Sequence, residues 1–244
     1  MNNYKIEENK ITVLDKRYYV KDEKYYPSVT TILSIYPKGT YYEDWIKSNG
    51  FNSEIIAAKA ADEGSQVHKA AEEFIKGKEI QWLDANGTAQ YSLSVWKMIL
   101  KFAEFWNRYK PKLIATEYHL FSDEHKFAGT ADQIVEINGE VWLIDLKTSN
   151  SLHTTHELQL GAYATAWNET HDVKITRTGI LWLKAATRTD GKGDDMKGKG
   201  WQVKVVDEIE KNTEMFLKIY DIYRLENPND KPVIMQYPTS IKIE

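Results

Sequence analysis

The chain has 244 residues, 42% of them apolar, with 36 acidic against 32 basic side chains and a formal net charge of −4. That length and apolar content suit one sizeable domain with a substantial core and exclude a disordered chain, while the acidic balance excludes indiscriminate polyanion binding over the whole surface but not a local basic channel. With no cysteine in the sequence, disulfides and cysteine-ligated iron–sulfur clusters are excluded, and a reducing, cytoplasmic setting is expected.

After Met1 no basic segment leads into an apolar run, so no secretory signal is expected, and no stretch is apolar enough for a membrane span. Residues 10–27 read as a small hairpin, with Ile11, Val13, Tyr19 and Tyr25 in short β-prone runs around Lys21-Asp22-Glu23-Lys24. Ser28 then caps a short helix that begins in Val29-Thr30-Thr31-Ile32-Leu33. Tyr36, Tyr41, Tyr42 and Trp45 surround the Pro37-Lys38-Gly39-Thr40 break without forming a clean periodic face, which makes them candidates for stacking on nucleic-acid bases.

Helical periodicity follows near 53–76, through Val67, Ala70, Ala71, Phe74 and Ile75, with His68 at the edge of the stripe. A second helix near 91–110 carries the core stripe Val95, Met98, Phe102, Phe105, Trp106 and Tyr109. Strands are expected at 113–121, 126–137 and 140–147, a helix over about Thr155 to Asn168, strands near 174–184 and 201–206, and a C-terminal helix ending by Asn227-Pro228. The Thr187 to Gly200 segment has no apolar period and reads as a mobile hairpin loop, with Arg188, Lys192, Lys197 and Lys199 nearly balanced by Asp190, Asp194 and Asp195. The pattern predicts an α/β fold with a central mixed β-sheet flanked by helices, in a single domain. Residues 1–52 form its N-terminal hairpin and helical elements, 53–184 its core, and 185–244 the loop, strand and C-terminal helix.

The chemistry concentrates in Gly129-Thr130-Ala131-Asp132-Gln133-Ile134-Val135 and Trp142-Leu143-Ile144-Asp145-Leu146-Lys147-Thr148. Strand alternation sends Val141, Leu143, Asp145 and Lys147 to one face and Trp142, Ile144 and Leu146 to the other. Asp132, Ile134 and Glu136 share a face of the preceding strand, and Asn138-Gly139 is a favoured two-residue hairpin turn, so Asp132 can face Asp145 across the pair. Two carboxylates on neighbouring strands suit a hard divalent cation that leaves positions for water and phosphate oxygens. A lysine two residues on can orient or deprotonate the attacking water, or neutralise charge in the transition state. A surface ion pair would account for an Asp and a Lys, but not for both lying inside an apolar run where an uncompensated charge is costly.

Asp132 followed by Asp145-Leu146-Lys147, with Gly129-Thr130 ahead of the first Asp, resembles the signature of the PD-(D/E)XK nuclease superfamily in its RecB-like branch. Gln159-Leu160-Gly161-Ala162-Tyr163 is similar to that branch's Q-x-x-x-Y helix, and Gly64-Ser65-Gln66-Val67-His68 to its G-x-x-x-H segment. Pro27 to Leu33 is similar to a segment of the mitochondrial genome maintenance exonuclease group and its phage relatives. The resemblance implies a restriction-endonuclease-like core and metal ligation by His68, Asp132, Asp145 and the Leu146 carbonyl. It also implies that Asp132, Asp145 and Lys147 are catalytic and that Gln159 and Tyr163 position substrate. Thr148 and Ser149 can donate hydrogen bonds to a phosphate as the strand ends, and Glu117 is a secondary candidate for shaping the metal site. Gly64 leaves room for close approach of a backbone or phosphate.

The implied activity is a Mg²⁺- or Mn²⁺-dependent DNA exonuclease, favouring single strands with a free end, in a phage or bacterial setting of replication, recombination or repair. The cluster-bearing members of the branch use four cysteines, which this sequence lacks. The rivals are an endonuclease or duplex-specific exonuclease of the same superfamily, and a catalytically inactive DNA-binding or assembly module.

Overall fold

The computed structural model describes residues 4–7, 9–13 and 16–233. Short β-prone runs at the start pair in sequence order as an antiparallel sheet of β1 (Tyr4–Glu7), β2 (Lys10–Val13), β3 (Lys16–Lys21) and β4 (Lys24–Pro27). The expected small hairpin is thus corrected to a four-stranded meander. Its first strand escaped the pattern because β1 buries no side chain. Asp22 and Glu23, at φ 50° and 60°, form the two-residue turn between β3 and β4.

Ser28 caps α1 (Val29–Leu33), its hydroxyl accepting from the Thr31 backbone N–H at 3.0 Å. The aromatic stretch that lacked a periodic face forms α2 (Thr40–Asn49), a helix with no buried residue. α3 (Asn52–Ile75) is exposed over most of its first half and enters the core at Val67, Ala70 and Ala71. α4 (Leu93–Tyr109) buries Val95, Met98, Phe102 and Phe105 of the predicted stripe and half-buries Trp106 and Tyr109; it starts at a Ser92 cap and ends at Lys110 in the left-handed region. Among the described residues no helix is long and apolar enough to cross a membrane.

The central sheet comprises β5 (Lys112–Ser122), β6 (Phe127–Ile137), β7 (Glu140–Lys147), β8 (Arg177–Trp182), β9 (Lys197–Gly198) and β10 (Trp201–Val205), in the order β5-β6-β7-β8-β10-β9. All neighbours are antiparallel except β7 and β8, which run parallel because α5 (Thr154–Thr170) makes the crossover between them. Asn138 and Gly139, both at positive φ, close the β6–β7 hairpin. Within the segment read as a hairpin loop the structure adds a short strand: Lys197–Gly198 pairs antiparallel with β10, and the Thr187 hydroxyl donates to the Trp201 carbonyl at 3.1 Å.

Helices cover both faces. Trp142, Ile144 and Leu146 pack toward α3 and α4, whereas Val141 and Leu143 pack toward α1, α5 and α6 (Ile209–Glu226), as strand alternation requires. Helix α5 lies close against α6 because Gly161 has no side chain; a Cβ there would stand 2.7 Å from the Thr213 backbone nitrogen. The resulting α/β sandwich brings the middle of β6, the end of β7, the second half of α3 and the start of α5 together.

Candidate active site

Regular pairing lapses around Asp132. On one side β5 and β6 pair at Thr116–Gln133 and again at Tyr118–Ala131, but not at Glu117–Asp132. On the other, the β6–β7 ladder ends at Gln133–Ile144, one pair short of Asp132–Asp145. The freed polar groups find side-chain partners instead: the Thr116 hydroxyl donates to the Asp132 carbonyl at 3.0 Å, and the Leu146 N–H donates to Asp132 Oδ2 at 2.7 Å. Asp132 therefore does not simply face Asp145 across a regular pair. Its carboxylate takes the Leu146 amide as a ladder acceptor would, with the added strength of a charged acceptor.

Asp145 is only 2% exposed, a costly place for a charge without compensation. Compensation comes from its own strand face and from α5. The Lys147 ammonium lies 2.7 Å from Asp145 Oδ2, while Gln159 Nε2 donates to Asp145 Oδ1 at 3.1 Å. Lys147 Nζ also donates to Gln159 Oε1 at 3.3 Å, so one amide bridges both members of the ion pair. Asp145 and Asp132 in turn hold Lys147 above the ordinary lysine value although burial opposes this. Lys147 thus enters the site as a cation.

His68 projects from α3 to place Nδ1 3.5 Å from Asp132 Oδ1. Ligand atoms of His68, Glu117 and Asp132 all lie within 4.8 Å of one another. Glu117 takes φ 47°, a left-handed conformation that costs a non-glycine residue ~1 kcal/mol, at the point where its pairing with β6 lapses. Burial and the Asp132 charge together push the Glu117 carboxyl up to about 7. Burial works against charge on His68 too, but Asp132, with Asp145 behind it, outweighs that and raises the imidazole to about 9. The same imidazolium draws Asp132 below the carboxylate range despite its burial. Carboxylates crowded until one resists ionisation form a site that an added cation would relieve. Asp145 Oδ2, buried and without an aligned hydrogen bond, leaves a further lone pair at the edge of the cluster. Once an incoming ion displaces its proton, the His68 imidazole with these hard oxygen donors fits Mg²⁺ or Mn²⁺.

The remaining sequence candidates divide. Gln159, 8% exposed, sits on the Asp145–Lys147 pair. Tyr163, 4% exposed, lies inside the core against Gly129, beneath the site rather than on its surface. Thr148 lies along α3, where Gly64 makes room for it: a Cβ on Gly64 would be 3.0 Å from Thr148 Oγ1. The Ser149 hydroxyl is engaged by the Ser151 carbonyl at 2.7 Å, and the Ser149 carbonyl accepts from the Trp182 indole. Sequence reasoning overlooked Thr116, whose role follows only from the interrupted ladder. It also overlooked Lys38 and His156, which border a groove reaching Lys147 and Gln159.

A mixed sheet flanked by helices, with two acidic residues, a lysine and a histidine converging at one end of adjacent strands, defines the class of metal-assisted phosphodiester-cleaving enzymes. A family model described as the PD-(D/E)XK nuclease superfamily matches residues 47–227, and the chain belongs to that superfamily. Membership implies a divalent-metal-dependent nuclease with DNA as its substrate. Among solved structures, the crystal structure of SSO0001 is similar at 14% identity over 63% of this chain and 84% of that one, with a TM-score of 0.30, a likeness too slight to bear on fold or function. No curated protein matches the chain.

Proposed function

We propose that this protein is a RecB-like exonuclease of the cytoplasm that hydrolyses single-stranded DNA from a free end, using Mg²⁺ or Mn²⁺. The observation that carries the reading is the meeting of the His68–Glu117–Asp132 cluster with the Asp145–Lys147 pair through the Leu146 amide. A bound divalent ion would neutralise charge on the scissile phosphate and lower the pKa of an attacking water. His68, Asp132 and Asp145 would hold it with the Leu146 carbonyl, and Glu117 is the additional ligand that the geometry supports. Lys147, 2.7 Å from Asp145, is placed to orient the attacking water and to offset charge developing on the phosphate. Gln159 keeps Lys147 and Asp145 in register.

Support for a single strand comes from α2 and the start of α3. Among the described residues they leave Tyr41, Ile46 and Ile55 exposed, and Phe51 between them is 100% exposed. Such surfaces suit unstacked bases more than a duplex. End-labelled linear single-stranded DNA should be degraded under conditions in which closed circles of the same sequence survive. Comparable cutting of circles would establish an endonuclease, and degradation confined to duplex ends would establish a duplex-specific exonuclease.

His68→Ala should weaken Mn²⁺ binding by at least about tenfold in calorimetry and raise the Mn²⁺ concentration for half-maximal activity in parallel, with Glu117→Gln acting in the same direction. A change in thermal stability with unaltered Mn²⁺ affinity would return His68 to a purely structural role.

A further inference from the structure

Beside the catalytic pair, a groove of about 570 Å³ separates the α1–α2 connection from the first turn of α5. Tyr36, Lys38 and Tyr42 form one wall, Thr154 and Thr155 the other, and Lys147 lies among the residues that line it. Its size falls in the range of sites for small organic ligands. Among the described residues no Asp or Glu lines this groove, in a chain with 36 acidic residues. Lys38 Nζ lies 4.5 Å from the Tyr42 ring centroid, and that ring stacks on Trp45 with centroids 5.9 Å apart. Among the described residues no carboxylate pairs with Lys38; its exposed ammonium donates to the Tyr42 hydroxyl at 3.4 Å at the border of the groove.

A cation without a carboxylate, tyrosine rings beside it, and Thr154 and Thr155 on the opposite wall together match one unit of a polyanion that also carries a flat ring. The groove reaches Lys147 and Gln159, so such a unit would adjoin the scissile phosphate. We propose that this groove is a subsite for the nucleotide next to the cleaved bond, with Lys38 and the first turn of α5 taking its phosphate and Tyr36 and Tyr42 its base. This inference rests on the nuclease reading above. It adds a base-independent grip on the strand that is separate from the metal ligands.

The test is binding of a fluorescein-labelled oligothymidylate to the full chain, followed by anisotropy in Ca²⁺ across a range of salt concentrations. Lys38→Ala should weaken binding and reduce the slope of log K against log salt by about one unit, as loss of one phosphate contact requires. Tyr42→Ala should weaken binding about tenfold, the scale of one lost base–aromatic stack. One abasic residue, moved along the oligonucleotide, should weaken wild-type binding at a particular position and have no further effect there in Tyr42→Ala. Both substitutions lie outside the core, and α2 buries no residue, so the fold should persist. An unchanged salt slope in Lys38→Ala, or an undiminished abasic penalty in Tyr42→Ala, would overturn the subsite. If those results came from a chain whose wild type still degrades DNA, the nuclease reading would stand. If instead the wild type hydrolysed no DNA with Mg²⁺ or Mn²⁺, that reading would fall while the anisotropy still reported on the groove.

Discussion

Asp145→Asn and Lys147→Met should each slow DNA hydrolysis by about a thousandfold or more while the protein stays folded. Every ~1.4 kcal/mol of lost transition-state stabilisation is tenfold in rate, and removing one preorganised charged group from such a site costs several times that. The structure also determines which substitutions are informative. Asp145 is buried against a Lys147 side chain that is itself only 19% exposed, so truncating Asp145 to Ala would strand an ammonium and leave a void, at ~3–5 kcal/mol. Asn also leaves the ammonium without its anionic partner, but it keeps the shape and can still accept from Gln159, so it removes the charge without opening the void. Met in place of Lys147 keeps the length of the stem and loses only the cation. End-labelled DNA degradation paired with thermal melting separates the two effects. Hydrolysis within a few-fold of wild type in either variant would remove that residue from the chemistry.

Gly129→Ala should lower the melting temperature by about 10 °C, although it adds a single methyl group. A Cβ at Gly129 would stand 2.2 Å from Tyr163 Cε1 and 2.8 Å from Cζ, and the ring is buried in the cluster that joins β6 to α5. Overpacking at such a position costs ~1–3 kcal/mol, and in a chain of this size each kcal/mol moves the melting temperature by ~2–4 °C. The ring cannot swing aside as the end of a flexible side chain would. Truncating it in advance should therefore absorb the added methyl, and in a Tyr163→Ala background Gly129→Ala should cost almost nothing further. Equal costs in both backgrounds would show that the strain lies elsewhere. This pairing gives the Gly129 and Tyr163 positions a joint physical reason: the glycine in the strand is the seat for the helix tyrosine.

Much of the architecture was legible because it depends on short-range repetition. The 3.6-residue stripe of α4, the two-residue Asn138–Gly139 turn and the alternation along β7 are local properties, and the structure reproduces them. Alternation alone puts Asp145 and Lys147 on one strand face, which is why their ion pair could be anticipated. Strand β1 and helix α2 were harder to read for one shared reason. Neither buries a side chain, so neither carries the apolar period on which such reading depends.

What the sequence by itself determined is the set of regular elements that enter the core and the neighbourhood of Asp132, Asp145 and Lys147. Tertiary structure decided how the site closes. Glu117 meets His68 and Asp132 through a left-handed residue at a lapse in two ladders, a departure from the alternation by which strands are read. Gln159 reaches the Asp145–Lys147 pair, and Tyr163 goes beneath Gly129, because the α5 crossover lies back on the sheet with Gly161 against α6. Helical spacing places Gln159 and Tyr163 on one face, but only the packing of that face could tell which of them meets the ion pair and which is enclosed by the core.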